Sequence, residues 1–441
     1  MNKIIAVLFF SVFSLLSNAQ EFTGEMLFKY AQEHSPKLQN SNLEVVVSEE
    51  KIKEIRSSGL PKINGELSFQ NFINVPTTVV PANALNPNLA SEELVGLSFG
   101  TPYNANYNLR VSQLIFSFNY IYAIKAARNY SELARLSNLQ KKENLLEELK
   151  LKLGQIILIQ KQQDLLKQNI KEVGALKTKT NSLIDAGVVE PTSINDIIII
   201  ELDLQNSIKL LESNEKIAFL SLKSEIGYPL DSNITLVKNF EKSSTAILDN
   251  ANLNPANNLA VQMGNQNVIL NDLGLKASKS EGYPSLSGFF NQQHTAMRNS
   301  FNFLDSSKDW FPATLWGINV TVPIYNSGEG RAKNKQKELA LKKAKNELID
   351  IENQIRSLYE MLKSNYNNAL LNLSSQEIKV KLFDNVYSNE EKKLNYGASN
   401  SLTLSQRKMQ LLKSKQELLQ KQYELYKAEV HLSIHTNTLK L

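Results

Sequence analysis

The stretch Ser57-Ser58-Gly59-Leu60-Pro61-Lys62-Ile63-Asn64-Gly65 returns 223 residues later as Ser280-Glu281-Gly282-Tyr283-Pro284-Ser285-Leu286-Ser287-Gly288. The shared pattern is Ser-x-Gly-x-Pro-x-apolar-x-Gly, and other landmarks repeat around it in the same order. Ser35-Pro36 is echoed upstream by Asn254-Pro255. Downstream, Leu114-Ile115-Phe116-Ser117 is echoed by Pro323-Ile324-Tyr325-Asn326 at an offset of 209, and Asp185-Ala186-Gly187 by Asn395-Tyr396-Gly397 at 210. Ordered self-similarity of this kind marks a duplicated unit. The near-equal later offsets give both copies the same spacing, and the larger first offset puts an insertion between Pro61 and Ile115.

Within each copy the apolar period changes. Ile63, Gly65, Leu67 and Phe69 alternate with Asn64, Glu66, Ser68 and Gln70. Ala105, Tyr107, Leu109 and Val111 do the same, as do Trp316, Ile318, Val320 and Val322; Ser285 to Asn291 alternates less cleanly, because Phe289 and Phe290 adjoin. Alternation over about ten residues, with aromatic residues near the ends, is the signature of membrane strands with one apolar and one polar face. The segments Pro76 to Pro102 and Asn291 to Pro312 read as exposed irregular loops.

The remainder reads as long helix. Leu341, Ala344, Leu348, Ile351, Ile355, Leu358 and Leu362 step by three and four, and Leu404, Leu411, Leu418, Leu425, Leu432 and Leu439 recur every seventh residue. Leu204, Ile208, Leu211, Ala218 and Leu222 keep a similar register. Such seams are narrow and serve packing against neighbouring helices. Prolines break helix interiors, and the 118 residues after Pro323 contain none. From Gly328 to Tyr396 the spacing predicts one helix of about 100 Å. Gly187 and Gly397, able to take positive φ, end the long helices at hairpin tips, and each is followed by a return helix about half as long.

Composition removes several function classes. The 441 residues include no cysteine, which excludes disulfides, thiolate metal sites, a Cys nucleophile and an N-terminal lipidated Cys. A net charge of +5 is too small over this length to argue for nucleic acid. Lys3, the apolar run Ile4 to Leu16 and the small residues Ser17-Asn18-Ala19 form an expected secretory signal peptide, 1–19. Two repeats follow, 20–240 and 241–441. Four strands per chain cannot close a barrel, and an open edge in lipid leaves backbone groups unsatisfied. The chain must therefore either pool strands and helices with partner copies or stay out of the membrane.

This order of helix, strand, strand, long helix, tip and return helix, twice over, resembles the TolC-like outer-membrane efflux protein family over about Phe22 to Leu441. The resemblance implies a mainly α fold with a transmembrane β-barrel: a homotrimer whose four strands per protomer build a shared twelve-stranded barrel, over an α-barrel of helical hairpins in the periplasm. It implies a passive exit duct in outer-membrane lipid, serving a tripartite efflux or type I secretion system. The implied partners are a periplasmic adaptor (membrane fusion) protein and an inner-membrane RND or ABC pump. By position, Gly187-Val188-Val189 and Gly397-Ala398-Ser399 are the expected adaptor-docking tips; the glycine followed by two apolar residues is kept in the first and lost in the second. The expected periplasmic aperture carries Ser193, Thr403 and Gln406 where some relatives place aspartates, which predicts poor block by divalent or trivalent cations. Gly59, Pro61, Gly282 and Pro284 lead into the strands.

No enzyme is expected, and no cofactor. His431 and His435 are four apart on a helix, but no further residue completes a metal set; both read as solvated or interfacial. His34 and His294 are isolated. Gly328-Glu329-Gly330 lacks the Gly-Lys-Ser/Thr of a phosphate loop and fits a strand-to-helix transition. A second functional reading is a periplasmic coiled-coil adaptor or scaffold, which would carry one helical hairpin flanked by compact β domains.

Overall fold

The computed structural model describes residues 21–85, 94–187, 190–240, 255–396 and 398–436; the expected signal peptide, Val188, Val189 and Gly397 lie outside them. After the two-residue strand β1 (Glu21–Phe22), helix α1 (Gly24–His34) begins where the Thr23 hydroxyl accepts the amide of Met26 at 3.3 Å. The repeat then appears twice. Its first copy is α2 (Pro36–Ser57), β2 (Lys62–Asn71), β5 (Tyr103–Phe116), α3 (Phe118–Asp185) and α4 (Ser193–Ile226). Its second is α5 (Leu259–Ser280), β7 (Ser285–Arg298), β8 (Phe311–Thr321), α6 (Glu329–Asn395) and α7 (Ser401–His435). Matched helices agree closely in length: 22 and 22, 68 and 67, 34 and 35 residues.

Two expected loops are partly strand. Within the insertion, β3 (Thr77–Pro81) and β4 (Leu94–Ser98) pair as an antiparallel hairpin. In the second copy, β7 runs to Arg298 rather than stopping near Asn291, because its backbone stays paired with β5 as far as Tyr103↔Arg298.

The chain divides into two units, one comprising residues 47–131 and 267–344 and the other the rest. The first unit is built on one antiparallel sheet, β2-β5-β7-β8. In the second unit the main core sits where α1, the start of α2, the middle of α3 and the ends of α4 and α7 meet: Leu27, Leu38, Leu149, Leu153, Ile156, Ile157, Leu222 and Ile226 are all essentially fully buried. A second short strand, β6 (Thr235–Leu236), closes this core by pairing in parallel with β1. Glu225 on α4 binds Lys37 at 2.5 Å and Lys152 at 3.1 Å, tying α2 and α3 to the return helix. Burial would raise its pKa, but the lysine hydrogen bonds outweigh this and hold the carboxyl below its ordinary value. α4 stops at Gly227, whose φ of +73° closes the last turn; a Cβ there would stand 2.2 Å from the His34 carbonyl oxygen.

The seventh-residue seam of α7 is the packed one: Leu404, Leu411 and Leu432 are buried. Leu439 lies outside the described residues. α6 keeps Ala344 and Leu362 buried but leaves Leu371, Ile378 and Leu382 exposed.

Candidate functional site

The sheet has two chemically opposite faces. Cross-strand register puts Ile63, Val111, Phe290 and Trp316 in one row, and Leu67 beside Tyr107 four residues further on. The other face aligns Asn64, Arg110 and Asn291, then Glu66, Asn108 and Gln293. Within the single chain the apolar face is bare: Trp316 is 77% exposed, and Ile63, Leu67, Ile318 and Val320 are each more than half exposed. Burying such side chains is worth about 1.5–3 kcal/mol each, so this face calls for an apolar surrounding. Around Phe69 and Tyr103, at one end of β2 and β5, Phe301, Phe303 and Trp310 join an aromatic cluster with ring centroids 5.5–6.3 Å apart. β2 and β8 are the sheet's two free edges.

At the start of the strands the two copies differ. The Tyr120 hydroxyl donates to the Arg56 carbonyl at 3.0 Å, which lays the ring against Gly59; a Cβ at that position would be 2.5 Å from it. At Gly282 the nearest atom to such a Cβ is the Lys279 carbonyl oxygen at 3.7 Å, and Glu329 replaces the tyrosine at the equivalent position. Pro61 and Pro284 each directly precede a strand's first residue.

At the tips, Gly187 has φ +70° and its amide donates to Ile184 at 2.9 Å. Ala398 donates its amide to Lys393 at 2.9 Å, and the Ser399 hydroxyl donates to Glu390. Lys179 reaches Asn395 at 2.6 Å, which brings the last turns of α3 and α6 side by side. Asn400 caps α7 by accepting the Thr403 amide at 2.8 Å. A groove of about 420 Å³ runs between α4 and α7, lined by Gln406, Ile199, Ile200 and Met409 among others, and by a carboxylate, Asp196. Asp196 lies three residues after Ser193 on α4; neither Ser193 nor Thr403 lines the groove. Of the residues expected at the aperture, Gln406 lines this groove, and Asp196 lines it as well.

No protein-family model matches the sequence, and no curated protein matches it. Solved structures do match. The outer membrane protein VceC of Vibrio cholerae superposes with a TM-score of 0.74 at 11% identity, over 94% of this chain and 95% of that one. CusC, a protein studied for folding and transmembrane channel formation, gives 0.75 at 14%, over 96% and 95%. The open-state MtrE outer membrane channel of Neisseria gonorrhoeae gives 0.71 at 10%, over 94% and 88%. The chain has the TolC-like fold.

In this TolC-like chain one ionisable cluster escaped the sequence. Glu147 on α3 hydrogen-bonds His431 on α7, and both are half-buried. That bond holds the Glu147 carboxyl below its ordinary value despite burial. Burial, followed by repulsion from Glu147, pushes Glu143 up; burial pushes His435 down against the attraction of Glu147. Residues 284 positions apart in sequence leave no local signal of such a pairing. Among the described residues no group of three or more His, Cys, Asp or Glu is placed to hold a metal. No helix among the described residues is long and apolar enough to cross a membrane, a statement that leaves the sheet untouched.

Proposed function

We propose that the chain is one protomer of an outer-membrane exit duct, passive and without a cofactor. The observation that carries this reading is the four-stranded sheet with one bare apolar face and two free edges. Lipid would cover the face, and the β8 edge of one copy would pair with the β2 edge of the next, so that no backbone group is left unsatisfied in the membrane. Three copies give twelve strands, which makes the homotrimer the natural count. Exposed apolar positions on the helices support pooling as well: Ile199, Leu202, Leu210 and Ile217 on α4 form a second stripe besides the buried Leu204.

In the same reading residues 1–19 are a signal peptide removed on export, and 20–240 and 241–441 are the two repeats. The tips Gly187-Val188-Val189 and Gly397-Ala398-Ser399 dock a periplasmic adaptor. Through it the duct serves an inner-membrane RND or ABC pump in a tripartite efflux or type I secretion system. Ser193, Thr403 and Gln406, with Asp196, sit near the periplasmic mouth.

Fractionation tests the proposal. The mature chain is expected in the outer-membrane fraction, released only by detergent, and trimeric by size. Recovery as a soluble periplasmic monomer would instead favour an adaptor or scaffold.

A further inference from the structure

The polar face of the four-stranded sheet carries three charged side chains, and they cluster. Lys62 stands opposite Ser112, Arg110 opposite Asn64, and Glu66 opposite Asn108. They thus occupy three successive rows of that face, at the end where β2 follows α2. Beyond them toward Asn71 the same face bears hydroxyls and carboxamides, among them Ser68, Gln70, Asn104 and Asn106.

Arg110 is held in a particular way. Its guanidinium carbon lies 5.9 Å from the centre of the Phe289 ring, within reach of a cation–π attraction. Phe289 is an aromatic residue on the polar face, seated opposite Gly317, where a Cβ would stand 2.9 Å from the ring. The bare backbone of β8 gives the ring its place, and the ring gives the guanidinium a platform. Phe289 is therefore the residue that spoils the alternation of β7 in sequence, and here it acquires a use.

We propose that Lys62 and Arg110, outnumbering Glu66, form the ion-selective zone of the strand segment and make it favour anionic over cationic cargo. The proposal rests on the reading that the polar face lines a duct. Each added copy repeats the same three charges, so the excess positive charge accumulates around the ring. Charged rings and low-dielectric walls concentrate counter-ions in a narrow passage, and lumen-facing residues of a barrel tune its selectivity. The uncharged carboxamide rows beyond the zone neither reinforce nor oppose it. Phe289 is a positioning residue in this scheme, acting through Arg110.

The test uses the full mature protein in planar bilayers of neutral lipid, with the zero-current potential read under a KCl gradient at about 0.1 M or below, where the screening length is still ~10 Å. Chloride is expected to be favoured over potassium. Lys62→Gln with Arg110→Gln should lower the chloride-to-potassium permeability ratio about twofold or more. Glu66→Gln should raise it, and Phe289→Leu should lower it without any change of charge. A potassium-preferring wild type, or a ratio unmoved by all these variants, overturns the proposal. A chain that produces no conductance steps at all overturns the duct reading and this inference with it, and so is told apart from a failure of selectivity alone. Oligomer size by size exclusion confirms that each variant has assembled.

Discussion

The Tyr426 ring packs against the bare backbone of Gly154. A Cβ at 154 would stand 2.4 Å from the ring, and the phenol donates to the Lys150 carbonyl at 3.1 Å. The ring is 4% exposed and has no open space to retreat into. α7 therefore packs on α3 more closely than any residue with a side chain would permit.

Gly154→Ala follows as a stability prediction with an unusual sign. Alanine in a helix interior ordinarily gains about 1 kcal/mol over glycine. Here overpacking, at about 1–3 kcal/mol, should win, leaving a net loss of up to about 2 kcal/mol, read as a lower temperature for loss of helical ellipticity in detergent. Tyr426→Phe should cost about 1 kcal/mol by removing the hydrogen bond. An alanine variant as stable as wild type would refute the close-packing account.

The two strand-leading glycines should respond differently. Gly59→Ala displaces Tyr120 and breaks its bond to Arg56, for about 1 kcal/mol, whereas Gly282→Ala makes only an ordinary contact with the Lys279 carbonyl oxygen at 3.7 Å. Because Gly59→Ala acts through Tyr120, its cost should largely vanish in a Tyr120→Ala background. Additive losses in that double-mutant cycle would count against the contact.

Acid should weaken the helical unit through His435. Its pKa is lowered from the ordinary 6.5, mainly by burial. Below that value the unfolded chain binds the extra proton first, so stability falls as pH drops from 6.5 toward the depressed folded value. Glu147, also depressed, adds a loss of the same sign at lower pH, as the fold gives up its bond to His431. Glu143 is raised from 4.5 and works in the opposite sense above that value. Unfolding temperatures measured from pH 7 to 5 should decline, and His435→Gln should flatten the slope; an identical slope in the variant would exclude this histidine.

On the duct reading, weak cation block is expected at the α4–α7 groove. Tight binding of a di- or trivalent ion takes several oxygen ligands, and Asp196 is the single carboxylate among the residues lining the α4–α7 groove. Conductance should persist at low concentrations of a trivalent ion. Strong block abolished by Asp196→Asn would reverse this expectation and identify the ligand.

The strands and long helices were legible because their periods are local. Ile63 to Phe69 alternates, and Leu404 to Leu432 recurs every seventh residue, whatever surrounds them. The second half of β7 was hidden because Gln292, Gln293, His294 and Thr295 are polar on both faces, so pairing with β5 rather than alternation defines it. The β3–β4 hairpin was missed for a related reason: Thr77-Thr78-Val79-Val80-Pro81 is too short to display a period. On α4, matching positions singled out Ser193, and the groove lining adds Asp196, one helical turn along. The Glu147–His431 pair depends wholly on packing.

The free edges of the sheet belong to different strands, β2 on one side and β8 on the other. In the proposed assembly a copy joined through β8 to a neighbour's β2 would still offer its own β2, so growth would have a direction and would stop only when the ring closes. A subunit sound at β2 but spoiled at β8, by a proline that removes a ladder donor, would be accepted at one end and refuse the next arrival. Such a subunit is a terminator. In a cell making both forms it would trap intact copies in open arcs, so that a fault in one strand of one copy disables more than its share.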